Sequence, residues 1–263
     1  NDRRVGDWKY GYSTFTMDIT DFLINGENRI MLQVRHQSPN SRWYSGAGIY
    51  RNVWLKRCKK VYLPLDGTYV NIKPDSKKQG SEKPDRFILE AETEVAGAFT
   101  KETGCHFALY KDGEFVQDLG VAFCEEDASS CDRTVSALAN EKSVDVKCTM
   151  VALRACVEAP ELWDIEDPQC YQLMVELTEG TEVLDAQENT IGFRTMEFCP
   201  DKGFFLNGRN VKVHGVCEHH DFGCLGAAYS EAAMARKLHT LRGMGVNAIR
   251  TSHNMQAPEF LEM

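Results

Sequence analysis

The stretch Ser230-Glu-Ala-Ala-Met-Ala-Arg-Lys-Leu-His-Thr-Leu-Arg-Gly-Met-Gly245, followed at once by Val246-Asn-Ala-Ile-Arg250, decides the fold of the C-terminal part of this chain. Its first residue is a favoured helix N-cap and its last is a glycine of the kind that ends helices. Starting at Met234, apolar residues recur at i, i+4 and i+7, which is the spacing of one helix face. The apolar run that follows predicts a buried strand directly after the helix.

The residues before this helix predict a second strand. The segment Phe204–Val216 contains the tight-turn dipeptide Asn207-Gly208 and then an apolar run. Strand, helix and strand within about 45 residues form a βαβ unit, whose two strands are parallel. We therefore expect the start of an α/β domain after about residue 200.

The first 190 or so residues have the alternating pattern of strands instead. Asn25-Gly26 and Asp112-Gly113 mark turns between apolar runs. Short strands at this spacing predict antiparallel β-sandwiches, so the fold class is mainly β with an α/β C-terminal piece. The segments that carry the strand pattern are Tyr12–Ile19, Arg29–His36, Asn52–Arg57, Phe87–Val95, Cys105–Tyr110, Val144–Val157, Tyr171–Thr178 and Ile191–Phe198, with a charged loop at Pro74–Pro84.

The composition excludes two classes of partner. The 263 residues hold 30 Lys and Arg against 39 Asp and Glu, a formal net charge of −9, which repels a phosphate backbone and argues against nucleic acid. There is no run of about 18 apolar residues that would cross a membrane. The chain opens at Asn1 without an initiator Met or a leader pattern, so we expect an internal fragment of a longer protein.

Ten cysteines are scattered along the chain without any CxxC pair. In a chain with a real core, such cysteines usually behave as small buried apolar residues, which favours a reducing, cytoplasmic compartment. A periplasmic or secreted location with paired disulfides stays open, because spacing alone does not decide pairing.

Five of the seven histidines lie between residues 214 and 253. Just past the end of the first parallel strand we expect His219, His220 and Asp221. Just past the end of the second we expect Arg250, Ser252 and His253. Parallel strands end at the same edge of a sheet, about 4.8 Å apart, so these side chains should share one cleft. Imidazole, carboxylate and guanidinium groups hydrogen-bond hydroxyls, which predicts a sugar ligand.

Each residue also has a structural alternative. Within its strand, His214 reads as a core residue or as a residue that supports the site from behind, and His239 reads as a surface residue of the helix. Arg250 could brace the fold through a carboxylate pair. The stretch Cys217–Cys224 holds potential zinc ligands, but it lacks CxxC or HxxxH spacing, so no metal site is assigned.

Several motifs together resemble glycoside hydrolase family 2. Ser41-Arg-Trp-Tyr-Ser-Gly-Ala-Gly-Ile-Tyr-Arg-Asn-Val-Trp-Leu55 is similar to the closing strands of the family's sugar-binding jelly roll. Pro160-Glu-Leu-Trp-Asp164 and Ile191-Gly-Phe-Arg-Thr195 resemble its immunoglobulin-like domain. His214–Asp221 and Asn247–His253 resemble the opening of its catalytic (β/α)8 TIM barrel. The motifs occur in the family's order along nearly the whole chain.

The resemblance implies three pieces: residues 1–57 as the C-terminal half of the jelly roll, 58–198 as the immunoglobulin-like β-sandwich, and 199–263 as the N-terminal part of the barrel. It also implies a retaining β-glycosidase whose two catalytic Glu residues lie beyond Met263. Glu218, Asp221 and Glu259 are not those residues, and this fragment alone is expected to be inactive.

The resemblance carries the substrate-binding role over to four positions. His219 and His253 match histidines that hydrogen-bond the glycone, and Asp221 matches a carboxylate that some members use similarly. Arg250 matches the arginine beside the nucleophile. Two departures stand out: Asn254-Met255 follows His253 where the family has Tyr-Pro or Asn-Pro, and Cys217 replaces an Asn.

The form of residues His219–Ala228 is similar to β-galactosidase-like members, so terminal β-D-galactosides are the expected substrate. β-Glucuronides, β-mannosides and a non-catalytic carbohydrate-binding or structural β-sandwich protein are the alternatives. No cofactor is expected in this fragment. Family members are often homo-oligomers and some use Mg²⁺ or Na⁺, but no residue here assigns either property.

Overall fold

The computed structural model describes residues 1–37, 47–75, 84–125 and 148–263. They form two compact units. The smaller comprises residues 1–37, 47–55 and 213–263, and the larger comprises residues 56–75, 84–125 and 148–212. Compactness alone does not test the domain boundaries implied by the resemblance, so those boundaries stay predictions.

The larger unit is made of antiparallel strands. The strands described there are β1 (Thr68–Pro74), β2 (Arg86–Ala96), β3 (Thr103–Lys111), β4 (Glu114–Phe123), β5 (Cys148–Glu158), β6 (Tyr171–Glu179), β7 (Glu182–Ile191), β8 (Met196–Cys199), β9 (Gly203–Leu206) and β10 (Arg209–Val211). They form three sheets, ordered β1-β2-β5, β4-β3-β6-β7 and β10-β9-β8.

One apolar core lies between the first two of these sheets. Alternate residues of β2, β3 and β6 point into it, as the two-residue period of a strand requires. Phe87 on β2 and Phe107 on β3 are fully buried, and the Phe87 ring meets the Phe193 ring edge-on at a centroid distance of 5.6 Å. Burial of both inner faces makes this unit a β-sandwich, as predicted.

The two predicted hairpin turns in this unit are confirmed. Asp112 and Gly113 join β3 to β4, and Asn207 and Gly208 join β9 to β10; all four have positive φ values. Positive φ at both central residues is what the favoured two-residue turn demands. The Asn207 amide group also donates to the carbonyl of Trp163 at 2.9 Å, which fixes the turn to the sandwich.

The smaller unit holds the predicted βαβ segment. Strand β11 (Gly215–Glu218) and strand β12 (Ala248–Thr251) are parallel and are joined through helix α1 (Glu231–Gly243); helix α2 (Pro258–Glu262) follows. The Ser230 hydroxyl caps α1 by accepting from the Ala233 amide at 3.4 Å. The βαβ prediction is therefore confirmed.

Three strand predictions in the N-terminal part are wrong. Tyr12–Ile19, Arg29–His36 and Asn52–Arg57 form no strand in the described residues. Alternation becomes a strand only where a neighbouring backbone completes the ladder. Met31 is 76 % exposed and Trp54 is 83 % exposed, so the apolar side chains of the second and third of these segments pack against no inner face here.

Smaller differences concern strand ends. The predicted strand Ile191–Phe198 is split, with Ile191 ending β7 and Met196 opening β8. Residues 41–46 of the Ser41–Leu55 motif, residues 76–83 of the predicted charged loop and residues 144–147 lie outside the described residues.

The nine cysteines in the described part form no disulfide. No helix in that part is long and apolar enough to cross a membrane.

Candidate functional site

The two histidines predicted to share a cleft do meet in the structure. His219 directly follows β11, and His253 lies two residues after β12. Their rings pack edge to face, with centroids 5.6 Å apart and planes at 84°. The parallel register brings them together, because it pairs Glu218 at the end of β11 with Thr251 at the end of β12.

Arg250 lies beside this pair but not where the sequence placed it. It is the third residue of β12 rather than a residue beyond the strand, because the ladder continues to Thr251. Its Nη1 donates to the Ser252 hydroxyl at 2.9 Å, and its Nη2 lies 3.5 Å from His253 Nδ1. Within the described residues its contacts are to these groups and to Cys217, rather than to the bracing carboxylate considered as an alternative.

The contact between Arg250 and His253 has a consequence for the imidazole. A guanidinium has donors only, so His253 Nδ1 must act as the acceptor. A neutral ring with an accepting Nδ1 carries its proton on Nε2. His253 therefore has an N–H donor on the side of the ring opposite to Arg250, and such a donor suits a sugar hydroxyl.

Cys217 is the cross-strand partner of Arg250. Its Sγ accepts from Arg250 Nη1 at 3.7 Å. Hydrogen bonding to Ser252, then to Arg250, lowers the pKa of the Cys217 thiol below its ordinary value. Ser252 was expected at this strand end, but its hydrogen bond with Arg250 was not predicted. The thiol contact was not predicted either, since it depends on the register of two short strands.

His219 and His220 point in different directions, as expected for neighbouring residues. The His220 ring packs edge-on against Tyr12 at a centroid distance of 5.1 Å, and the residue is only 7 % exposed. Burial first, and the Arg51 charge second, lower the pKa of His220. A buried imidazole with a lowered pKa stays neutral at pH 7, so His220 is a core residue of this unit and not part of the His219–His253 pair.

Asp221 is half-buried, and its charge acts on His220 by opposing the lowered pKa. Its backbone carbonyl accepts from Lys237 Nζ of α1 at 3.4 Å. Lys237 also pairs with the Glu218 carboxylate at the end of β11. The helix thereby holds the turn that carries His219 and Asp221, while a direct role of the Asp221 carboxylate in binding stays a prediction.

The two histidines predicted to be structural differ in outcome. His239 lies exposed on α1, as expected. His214 is exposed as well and precedes β11, so its assignment to the strand core is wrong. Its backbone is held instead: the His214 amide donates to Asn247 Oδ1 at 2.8 Å, and the Asn247 amide donates to the His214 carbonyl at 3.0 Å.

Residues near the N-terminus hold the segment that follows His253. The Tyr10 hydroxyl contacts Asn254 Oδ1 at 3.3 Å, and the Asn52 side-chain amide donates to Glu259 Oε1 at 2.7 Å. Arg51 donates to the Met255 carbonyl. A cavity of about 250 Å³ lies next to these contacts and is lined by Ile49, Tyr50, Arg51, Asn52, Ala228, Tyr229 and Glu259.

The arrangement is suited to binding a ligand through hydrogen bonds. It offers two imidazoles and one guanidinium at a strand edge. Such groups bind hydroxyls and carboxylates. Among the described residues, no group of three or more His, Cys, Asp and Glu side chains lies close enough together to hold a metal ion.

Two family models match consecutive parts of the chain. Residues 107–194 match the model described as "Glycosyl hydrolases family 2", and residues 199–263 match "Glycosyl hydrolases family 2, TIM barrel domain". The two matches together cover more than half of the 263 residues. The first match lies in the sandwich, and the second contains the βαβ unit.

Relatives with known names agree with this family. The chain is 35 % identical to "Beta-galactosidase BoGH2A" of Bacteroides ovatus over 98 % of its own length, and 29 % identical to "Beta-glucuronidase" of Bacteroides fragilis, also over 98 %. It spans 28 % and 35 % of the length of these two relatives.

A family 2 glycosyl hydrolase of Bacteroides cellulosilyticus has a similar fold, with a TM-score of 0.78 and 28 % identity over the whole chain and 33 % of that protein. The order of sandwich and βαβ unit, both family models and these relatives agree, and the chain belongs to glycosyl hydrolase family 2.

Proposed function

We propose that this chain is part of a retaining β-glycosidase that hydrolyses terminal β-D-galactosides. In this proposal His219, Asp221, Arg250 and His253 form part of the subsite that binds the glycone. The observation that carries the proposal is the edge-to-face pair of His219 and His253 at the ends of two parallel strands, with Arg250 beside it. In barrels built from parallel strands, active sites form at this edge.

The chemistry of the pair fits a neutral sugar. The N–H at Nε2 of His253 donates to a hydroxyl, and neutral imidazoles also accept from hydroxyls, so both ends of a sugar O–H can be satisfied. Such hydrogen bonds strengthen as the ring flattens toward the oxocarbenium-like transition state, and together they supply several kcal/mol. Arg250 adds a fixed positive charge, which would keep a neighbouring nucleophilic carboxylate ionised.

The bond-breaking groups belong to other residues in this proposal. Retention requires two carboxyl groups about 5–5.5 Å apart across the scissile bond. We expect both in the part of the protein that follows Met263, so that the 263-residue chain binds sugar weakly and does not hydrolyse it.

Hydrolysis of matched substrates tests the proposal. The full-length protein is assayed with the aryl β-galactoside, β-glucuronide and β-mannoside, and the 263-residue chain serves as the control. Release of the aryl group from the galactoside alone, with an inactive control chain, is the expected result. Activity on another glycoside replaces the substrate and keeps the mechanism. No activity on any of the three favours a non-catalytic carbohydrate-binding protein.

A β-glucuronide is the second candidate. The Bacteroides fragilis relative named "Beta-glucuronidase" is 29 % identical to this chain. A glucuronide carries a carboxylate, and the Arg250 guanidinium is a cation at the strand edge that could pair with it. The galactoside is preferred because the relative with 35 % identity is named a beta-galactosidase.

A further inference from the structure

Cys217 and Arg250 face each other across the parallel pair β11–β12. The register pairs them directly, and side chains of directly paired residues leave the sheet on the same face. Arg250 Nη1 lies 3.7 Å from Cys217 Sγ and 2.9 Å from Ser252 Oγ. One guanidinium nitrogen is therefore held between a thiol and a hydroxyl.

Ser252 is a firm anchor on one side of this nitrogen. It is only 1 % exposed, and its amide donates to the Glu218 carbonyl at 2.9 Å. The hydrogen bond to Ser252 and the contact of Nη2 with His253 both come from residues of β12 or just after it. The contact with Cys217 adds a partner on β11, so the planar group is held from both strands.

We propose that Cys217 is a positioning residue, whose Sγ acts with the Ser252 hydroxyl to hold the Arg250 guanidinium against His253. The proposal rests on the proposed function only for its effect on catalysis. The thiol contact itself is a property of the chain. Cys217 belongs to a different strand from Arg250, so it fixes the guanidinium relative to both strands that carry the site.

The electrostatics of the thiol are consistent with this contact. Desolvation opposes the charged form of the Cys217 thiol, but it is outweighed and the pKa of the thiol is lowered. Hydrogen bonds from Ser252 and Arg250 and the positive charge of Arg250 all favour the thiolate. A sulfur with more negative charge is in turn a better acceptor for a guanidinium N–H.

Kinetics of three Cys217 variants in the full-length protein test the catalytic consequence. Cys217→Ala removes the acceptor and should lower kcat about tenfold with KM changed less than about twofold, since hydrogen bonds to charged groups are among the stronger ones. Cys217→Ser and Cys217→Asn keep an acceptor and should stay within about threefold of the unsubstituted protein. Cys224→Ala, at an exposed cysteine without a contact to Arg250, is the matched control.

The pattern among the variants decides this part of the test. Equal losses in the Ala, Ser and Asn variants would overturn the proposal, because they would show that packing rather than the acceptor matters. An Ala variant with kcat within about twofold of the unsubstituted protein would overturn it as well. Melting temperatures of all variants identify any loss that comes from unfolding.

Alkylation of the thiol tests the contact without any glycosidase activity. With iodoacetamide at pH 7, the Cys217 sulfur forms a bond to the acetamide carbon, iodide leaves, and the thiol proton goes to the buffer. Peptide mass mapping gives the rate at each cysteine. Arg250→Met should slow alkylation of Cys217 about threefold or more, because the thiolate loses its cationic partner, and should leave Cys224 unchanged.

The alkylation result separates this proposal from the proposed function. If the full-length protein hydrolyses none of the glycosides, the proposed function fails, and slowed alkylation in Arg250→Met still supports the thiol contact. If Cys217 reacts at the same rate with Arg250 and with Met at position 250, the positioning role is overturned whatever the protein hydrolyses.

Discussion

The two compact units of this chain differ in how they use apolar alternation. In the sandwich, alternate residues of β2, β3 and β6 meet a facing sheet, and Phe87 and Phe107 are completely buried. In the smaller unit, Arg29–His36 alternates just as well and forms no strand, and Met31 stays 76 % exposed. Apolar alternation in the sequence therefore shows only that a segment can form a strand. The strand forms where a neighbouring backbone supplies hydrogen bonds and an apolar face covers the alternate side chains.

The two units also differ in what their residues contribute, because one contains the closed apolar core and the other contains the candidate site. The sandwich has a closed apolar core, while the candidate site lies in the smaller unit, where polar groups such as Arg250 and Ser252 hold one another by hydrogen bonds. Substitutions in the two units should consequently have different kinds of effect. The following predictions are ordered by the size of the expected effect.

Removing a core ring should give the largest loss of stability. Phe107→Ala in the 263-residue chain should lower the free energy of unfolding of the sandwich by about 3–5 kcal/mol, because burial is lost and a cavity remains. Trp54→Ala, at an 83 % exposed position of the other unit, should change it by less than about 0.5 kcal/mol. Urea denaturation measures both, and similar losses would contradict the contrast between the units.

Replacing a glycine by alanine should give the next largest difference in stability between the two units. A Cβ at Gly97 in the sandwich would lie 2.1 Å from the Lys60 carbonyl oxygen, and the φ of +110° is unfavourable for any other residue. Gly97→Ala should therefore cost about 3 kcal/mol. Gly26→Ala in the smaller unit has a φ of +94° but no atom within 4 Å, and should cost about 1 kcal/mol. Equal costs would mean that backbone strain alone, and not packing, decides both.

Truncating a histidine of the site should affect activity and not stability. His253→Ala in the full-length protein should lower kcat/KM for the aryl β-galactoside at least about 10²-fold, because one transition-state contact is lost. The melting temperature should stay the same. His214→Ala, at an exposed residue before β11, is the control and should change kcat/KM less than about twofold. A loss below about threefold for His253→Ala would remove this residue from the site.

Removing the helix cap should have the smallest effect. Ser230→Ala deletes the hydroxyl that accepts from the Ala233 amide and should destabilise α1 by about 1 kcal/mol or less, given the 3.4 Å length of the bond. Ser230→Asp keeps an acceptor and should restore most of this. Thermal unfolding followed by circular dichroism compares the three proteins. A Ser230→Asp variant as unstable as Ser230→Ala would contradict the capping role.

Local signals in the sequence were sufficient where the structure depends on a few neighbouring residues. Asn207-Gly208, Asp112-Gly113 and the Ser230 cap each specify their turn or helix end through their own backbone preferences, and all three are confirmed. Three strands, β1, β4 and β7, are not among the predicted strand segments, and each lies at an edge of its sheet. The edge strand β7 carries mostly polar or half-exposed residues, so it had no alternating apolar pattern to detect.

Some features of the candidate site could likewise be predicted from the sequence, and others could not. The meeting of His219 and His253 follows from the topology of a βαβ unit, and it was predictable without coordinates. The role of Cys217 depends on its pairing with Arg250 and not with a residue one position away. A shift of one residue reverses the side-chain face, so only the register of the structure could reveal it. The hydrogen bond from Arg250 to Ser252 joins residues two apart and depends on side-chain conformation, which the sequence pattern does not specify.

The contacts made by the N-terminal residues bear on the order in which the chain folds. Tyr10 and Asn254 are 244 residues apart in sequence, and Asn52 and Glu259 are 207 apart. Contacts across such separations carry a large loop-closure entropy and form late. During synthesis residues 1–55 emerge long before their partners, so the sandwich and the local βαβ unit can form first. We therefore expect the contacts of Tyr10 and Asn52 with the segment after His253 to form later than the sandwich and the βαβ unit.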